Sequence, residues 1–238
     1  MYGIELDDFA HEVAILSLWL TEHQMNMEFK TEFGKVIPSL PLQKCGNIVA
    51  DNAARVDWGS ICPTNKSGEV YLIGNPPYLG YSLQSKEQKQ DVEITFAGEK
   101  NHKSLDYISC WLYRGAKFIA SSPAKLAFVS TNSICQGEQV LNLWPLIYQH
   151  NLEIGFAHQS FKWGNNAKNN AAVYCIIIGL QQKSESIKRL YSNGYEKAGE
   201  NINPYLVFSK SNLMLPKRKK PLCSVPAMNR GSGPVDGG

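Results

Sequence analysis

Residues 70–80, VYLIGNPPYLG, decide how the chain is read. A mostly apolar run ends abruptly in an amide, two prolines and an aromatic ring. Proline has no backbone N–H, fixes its own φ and holds the residue before it extended. A buried strand therefore stops at Gly74, and a stiff loop follows. Asn75 brings a carboxamide oxygen that accepts hydrogen bonds. Pro77 keeps Pro76 extended, with its carbonyl pointing outward. Two acceptors at a fixed separation suit an amino group with two hydrogens, and Tyr78 offers a flat face for stacking.

The flanks alternate between strand and helix patterns. YGIEL (2–6) is a short strand ending near Glu5, and Asp7 or Asp8 caps the helix after it. Phe9, Val13, Leu16 and Leu20 recur at helical spacing. Residues 25–42, broken by two prolines, read as a connector. GNIVADNA (46–53) is a second strand, ending in Asp51 and Asn52. Residues 82–103 are charged without a long apolar stripe, which predicts a mobile excursion holding at most one set of helical turns. A helix is expected over 104–120, with Leu105, Ile108, Leu112 and Phe118 among its buried side chains. Another strand spans 125–133, and a helix bent at Pro145 spans 137–150. Residues 152–161 and 171–180 are strands joined by a polar loop. The fold class is α/β, a Rossmann-like, mostly parallel sheet covered on both faces, with an antiparallel C-terminal strand pair. Ligands of such sheets sit at the carboxyl ends of the strands. Glu5, Asp51-Asn52, Asn75 to Tyr78 and Thr131-Asn132 are the polar ends expected along one rim.

Composition narrows the class further. The chain has 238 residues, 43% hydrophobic and 19% charged, as in globular rather than disordered proteins. A formal charge of +3 permits a nucleic-acid partner without arguing for one. Cys45, Cys62, Cys110, Cys135, Cys175 and Cys223 are scattered with no CxxC pair, which reads as reduced cytosolic thiols and no metal site. The N-terminus lacks a basic leader, and the longest apolar run, AAVYCIIIGL, is too short to span a bilayer. The expectation is a cytoplasmic protein with no membrane partner.

The exocyclic amine of a nucleobase is a weak nucleophile, because its lone pair is delocalised into the ring. Acceptors on both hydrogens pull the nitrogen toward tetrahedral geometry. Transfer from a sulfonium methyl donor then needs mainly in-line positioning. The tetrapeptide after a buried strand carries that reading; Asn-Pro alone would read as a tight loop.

These residues resemble a class I, S-adenosyl-L-methionine-dependent DNA methyltransferase of the N6-adenine type, and more narrowly the MmeI-like restriction-modification group. YGIELDDFAHEVAILSLWLTEHQMN, NIVADNAARVDW, IGNPPYLG, LDYISCWLYRGAKFI, KLAFVSTNSICQGEQV and FKWGNNAKNNAAVYCIIIGL are similar to successive motifs of that family. The resemblance implies that Glu5 holds the cofactor ribose, that Asp51 or Asn52 lies beside the cofactor adenine, and that Asn75 also borders the cofactor. It implies that Asn75 and the Pro76 carbonyl, stiffened by Pro77, bind the target amine. Tyr78 and Phe161 would stack on an adenine flipped out of double-stranded DNA. Trp163 competes with Phe161 for that role. Lys162 and Lys168 are candidate phosphate contacts, or solvated loop charges.

The family's Gly-rich first motif is not in the chain, and no Gly-x-Gly occurs in the first 60 residues. The resemblance therefore implies a partial catalytic domain over 1–182 without its first strand, and a connector over 183–238 toward an absent target-recognition domain. An upstream polypeptide supplying the Gly-rich motif is a candidate partner. Three functions stay open: an adenine-specific DNA methyltransferase segment incomplete on its own, a non-catalytic remnant with at most weak DNA binding, and a methyltransferase acting on a protein or RNA amine.

Overall fold

The computed structural model describes residues 1–35, 47–64, 68–163, 173–216 and 224. In chain order the elements are β1 (Tyr2–Glu5), α1 (Asp8–Phe33), β2 (Asn47–Ala50), α2 (Trp58–Ile61), β3 (Tyr71–Gly74), α3 (Lys86–Thr95), α4 (Ser109–Ala120), β4 (Lys125–Thr131), α5 (Gly137–Tyr148), β5 (Leu152–Trp163), β6 (Val173–Gln182), β7 (Lys188–Ser192) and β8 (Tyr195–Gly199). They form a two-stranded sheet, β1-β2, and a six-stranded sheet in the order β3-β4-β6-β5-β7-β8. β1 with β2 and β3 with β4 pair parallel, as α/β crossovers require. Antiparallel pairing enters at β6, which lies between β4 and β5 and opposes both.

The strands thus fall into two separate sheets. Among the described residues, β1 pairs with β2 on one side only, and β3 with β4 on one side only. Both are parallel strands with an open backbone edge, which central parallel strands rarely show.

The core lies under the larger sheet. α4 buries Cys110, Leu112, Tyr113, Ala116 and Ile119, and α5 buries Val140, Leu143, Trp144 and Ile147. These meet Leu126 and Phe128 of β4 and Ile176 and Ile178 of β6. Gly115 permits the approach of α4 to β4, since a Cβ there would stand 2.2 Å from Leu126 Cδ1. Gly179 of β6 makes room for Phe156 of β5, whose ring would stand 2.1 Å from an added Cβ.

Several elements differ from the sequence reading. α1 runs on through residues 25–33, which were expected to be a connector, and ends at Gly34 with φ of 64°. Asp7 is its cap, accepting the Ala10 amide at 2.8 Å. The repeat Phe9, Val13, Leu16, Leu20 marks the helix but not its sheet-facing side. All four are exposed, while His11, Ala14, Ile15 and Leu18 are half-buried.

Residues 82–103 are an ordered part of the fold rather than an excursion. Ser85 and Gln88 form a capping box at the start of α3, and Asp91, Val92, Thr95 and Phe96 are buried. The expected helix from 104 begins at Ser109, although Leu105, Ile108 and Leu112 are buried as anticipated and Phe118 packs on the core. Residues 188–199, placed in the connector by sequence, form β7 and β8; β7 pairs parallel with β5 through Phe156 and Arg189. Among the described residues, no helix is long and apolar enough to cross a membrane.

Candidate functional site

The sequence-marked residues fall into two groups, each at the carboxyl ends of paired parallel strands. In the small sheet Glu5 pairs with Ala50, and the Asp51 amide donates to the Glu5 carbonyl at 2.9 Å. Glu5 and Asp51 thus stand side by side. The Glu5 carboxylate accepts only the adjacent Leu6 amide, at 3.0 Å, among the described residues. Asp51 is exposed, and its carboxylate accepts the Asn52 amide at 2.6 Å.

Asn52 is placed differently from Asp51. Its Nδ2 donates to Asp91 Oδ2 at 3.1 Å, and its Oδ1 accepts the Ala54 amide at 2.8 Å. Both ends of the Asn52 side chain are spent on folding the turn after β2. That leaves Asp51, whose carboxylate accepts only the adjacent Asn52 amide among the described residues, as the less engaged acceptor of the pair.

In the large sheet Gly74 pairs with Phe128, the last β3–β4 pair, so Asn75 leaves β3 beside the middle of β4, which runs on to Thr131. Asn75 is exposed, and among the described residues nothing occupies its carboxamide or the Pro76 carbonyl. Pro76 itself is buried. Tyr78 turns inward, and its hydroxyl lies 3.9 Å from Cys175 Sγ. Burial first, then that hydrogen bond, raises the Tyr78 phenol above its ordinary pKa, so the ring is neutral at neutral pH.

Cys175 is the position on which this group converges. In the ladder of β6 it pairs with Thr131 of β4 on one side and Phe161 of β5 on the other. Tyr78 and Phe161, far apart in sequence, are therefore brought to one β6 residue. Phe161 follows a register shift between His158 and Phe161, the kind of bulge that re-aims a side chain. Lys162 is exposed; Lys168 lies outside the described residues.

A continuous hydrogen-bond path joins the two groups. Asp91 is buried and collects Asn52 Nδ2, Arg55 Nε at 2.6 Å and the Tyr107 hydroxyl at 2.6 Å. Burial, and next the bond to Asp91, raises the Tyr107 phenol well above its ordinary value, so it stays a donor. The Tyr107 amide in turn donates to the Leu79 carbonyl at 3.0 Å, one residue beyond Tyr78. The turn after β2 and the loop after β3 thus share one support.

The sequence reading missed Asp91, Asp106, Tyr107 and Cys175. Asp106 carried a usable signal, since an acid just ahead of an apolar helical run is a cap signature. Cys175 sits in an apolar strand run, where nothing in the pattern separates a core residue from a wall of a site.

Comparison with known proteins follows this geometry. The family model described as MmeI, DNA-methyltransferase domain, matches residues 1–192. DNA methyltransferase A of Bacillus subtilis (strain 168) is 49% identical over 239 residues, covering 100% of this chain and 27% of the relative. The type IIL restriction-modification enzyme MmeI, solved in complex with DNA, superposes with a TM-score of 0.85 at 39% identity, over 94% of this chain and 31% of that one. The chain therefore spans about a third or less of the length of these relatives.

Proposed function

The chain belongs to the MmeI DNA-methyltransferase domain family, and from that premise we propose that it carries the catalytic part of an enzyme methylating N6 of an adenine flipped out of double-stranded DNA. The observation that carries this reading is the pair of open acceptors, Asn75 Oδ1 and the Pro76 carbonyl, on a loop held from behind. They accept the two hydrogens of the adenine amine and turn its lone pair toward an incoming methyl group. Tyr78, with Phe161 approaching the same β6 residue, supplies the aromatic surface that offsets the few kcal/mol lost on unstacking the base.

The methyl donor is S-adenosyl-L-methionine. Glu5 and Asp51 fit its nucleoside half: two adjacent carboxylates, little used internally, match a ribose diol and an exocyclic amine. Asp51 rather than Asn52 faces the cofactor adenine, because the Asn52 amide is already engaged. The bound donor supplies an electrophilic methyl carbon. Asn75 Oδ1 and the Pro76 carbonyl would hold the N6 lone pair in line with that carbon, and the methylated amine would release one proton to solvent.

The split sheet supports a second element of the proposal. Among the described residues β1 and β3 each have one unpaired edge; these edges suit a further parallel strand, which an upstream polypeptide carrying a Gly-rich turn would supply. Calorimetric titration with S-adenosyl-L-methionine, followed by transfer assays on DNA, RNA and protein acceptors, tests the reading. Glu5→Ala should weaken cofactor binding at least tenfold. Asn75→Ala should leave it within twofold while lowering transfer to DNA at least 100-fold, the scale for losing one positioned electrostatic contact. Equal transfer to RNA or protein, or an Asn75→Ala variant that transfers normally, would overturn it.

A further inference from the structure

The Asn-Pro-Pro-Tyr loop has an unusual problem of support. Pro76 and Pro77 have no N–H, so two successive residues cannot be tied down by their own amides. The loop leaves β3 at Gly74, and its fixation is found at Leu79. The Leu79 amide donates to Asp106 Oδ1 at 2.9 Å. The Leu79 carbonyl accepts the Tyr107 amide at 3.0 Å and Gln84 Nε2 at 2.9 Å. Both polar atoms of that residue are thus held by side chains and backbone from the segment 84–107.

Asp106 is buried, at 6% exposure, on the turn that enters α4. Its second oxygen accepts Ser133 Oγ at 3.3 Å, and Ser133 Oγ lies 2.7 Å from Thr131 Oγ1 at the end of β4. Its own amide donates to Gln139 Oε1 at 3.0 Å, which brings in α5. One residue therefore ties the loop to the segment after β4 and to the entry of α4 through its carboxylate, and to α5 through its amide. Oδ1 also accepts the Ile108 amide at 3.3 Å, the geometry of an ordinary helix-entry cap.

We propose that Asp106 is the positioning residue of the Asn75–Tyr78 loop, its buried carboxylate holding the Leu79 amide so that Asn75 Oδ1 and the Pro76 carbonyl stand at a fixed separation. The proposal rests on the methyltransferase reading for its catalytic consequence and on the contacts above for its structural one. A carboxylate suits this place better than a backbone partner. It accepts from the loop, the helix entry and the Ser133 hydroxyl just after β4 at once, so the loop cannot drift relative to any of them.

The test separates positioning from helix capping. Asp106→Asn keeps an acceptor of the same reach. Asp106→Ser keeps a good helix cap but is one bond too short for Leu79. The readouts are native-state hydrogen exchange, cofactor affinity, and kcat and KM for adenine-containing duplex DNA. In the Asn variant the Leu79 amide stays protected and kcat stays within about fivefold. In the Ser variant Leu79 protection falls at least 100-fold while α4 amides keep theirs. Its kcat then falls about 100-fold, as for a roughly 1 Å misplacement, with cofactor affinity within twofold. A folded Ser variant with Leu79 still protected, or with protection lost and kcat unchanged, overturns the proposal. Should the parent chain not methylate DNA, the methyltransferase reading fails on its own, and exchange decides the positioning role. Loss confined to the loop supports it, and loss spread through α4 overturns it.

Discussion

Asp51 and Asn52 show what single residues hide in a sequence. Both are short, polar and placed at a strand end, and no pattern separates them. The difference is made by a residue 39 positions away, Asp91, which takes the Asn52 amide. His150 makes the same point for charge. Burial lowers its pKa below the usual 6.5, Lys117 adds to the effect and Glu99 partly opposes it. Its Nε2 is buried without a partner among the described residues. The unfolded chain therefore takes up this proton first. The stability contributed is present above about pH 6.5 and is lost as pH falls below it. Thermal midpoints measured from pH 7.5 to pH 5 should fall, and they should fall less in His150→Gln; identical slopes would remove His150 as a cause. The Asn-Pro-Pro-Tyr acceptors, by contrast, were legible directly, because proline and a carboxamide carry their chemistry without help from neighbours.

At the level of elements, the strands and the two core helices were readable from apolar runs and helical spacing. α3 was not. Its sequence, KEQKQDVEIT, has no apolar stripe because its anchor is a buried carboxylate rather than a hydrophobic face. Asp91 receives Asn52, Arg55 and Tyr107, of which Tyr107 is the most buried and Arg55 the least. Asp91→Ala should destabilise the chain, chiefly by leaving the Tyr107 hydroxyl buried without its acceptor, at a cost of about 1–3 kcal/mol. Adding Tyr107→Phe should recover part of that loss, since removing both partners of a buried bond costs less than removing one. Urea midpoints of the single and double variants measure this; a double variant less stable than Asp91→Ala would disprove it. β7 and β8 were missed for a related reason. KRLYS and YEKAG are short and mostly polar, and they become strands only because β5 offers an edge.

At the scale of the whole molecule, the architecture is uneven. β6, between β4 and β5, sits in a ladder paired on both sides, whereas β1 and β3 each end a sheet. Local stability should follow that division. Amides of β6 should exchange slowest, at the global rate of opening. Those of β1 and β2 should exchange far faster, and addition of the upstream polypeptide should slow β1 and β3 selectively. Exchange mapped by mass spectrometry with and without it is the measurement; uniform protection across both sheets would contradict the division. The sequence pattern anticipated parallel strands and an antiparallel C-terminal pair, but not their division into two sheets, because strand runs carry no mark of which strands share an edge.

α1 has apolar residues on two opposite sides: Ile15 and Leu18 turn toward the sheet, while Phe9, Val13, Leu16 and Leu20 face water. In a cell, such a stripe is what chaperones and proteases read as unfinished folding. The steady-state abundance of the chain then becomes a property of its surroundings as much as of its own fold. A substitution such as Leu16→Glu, which no catalytic argument would single out, should lengthen its half-life.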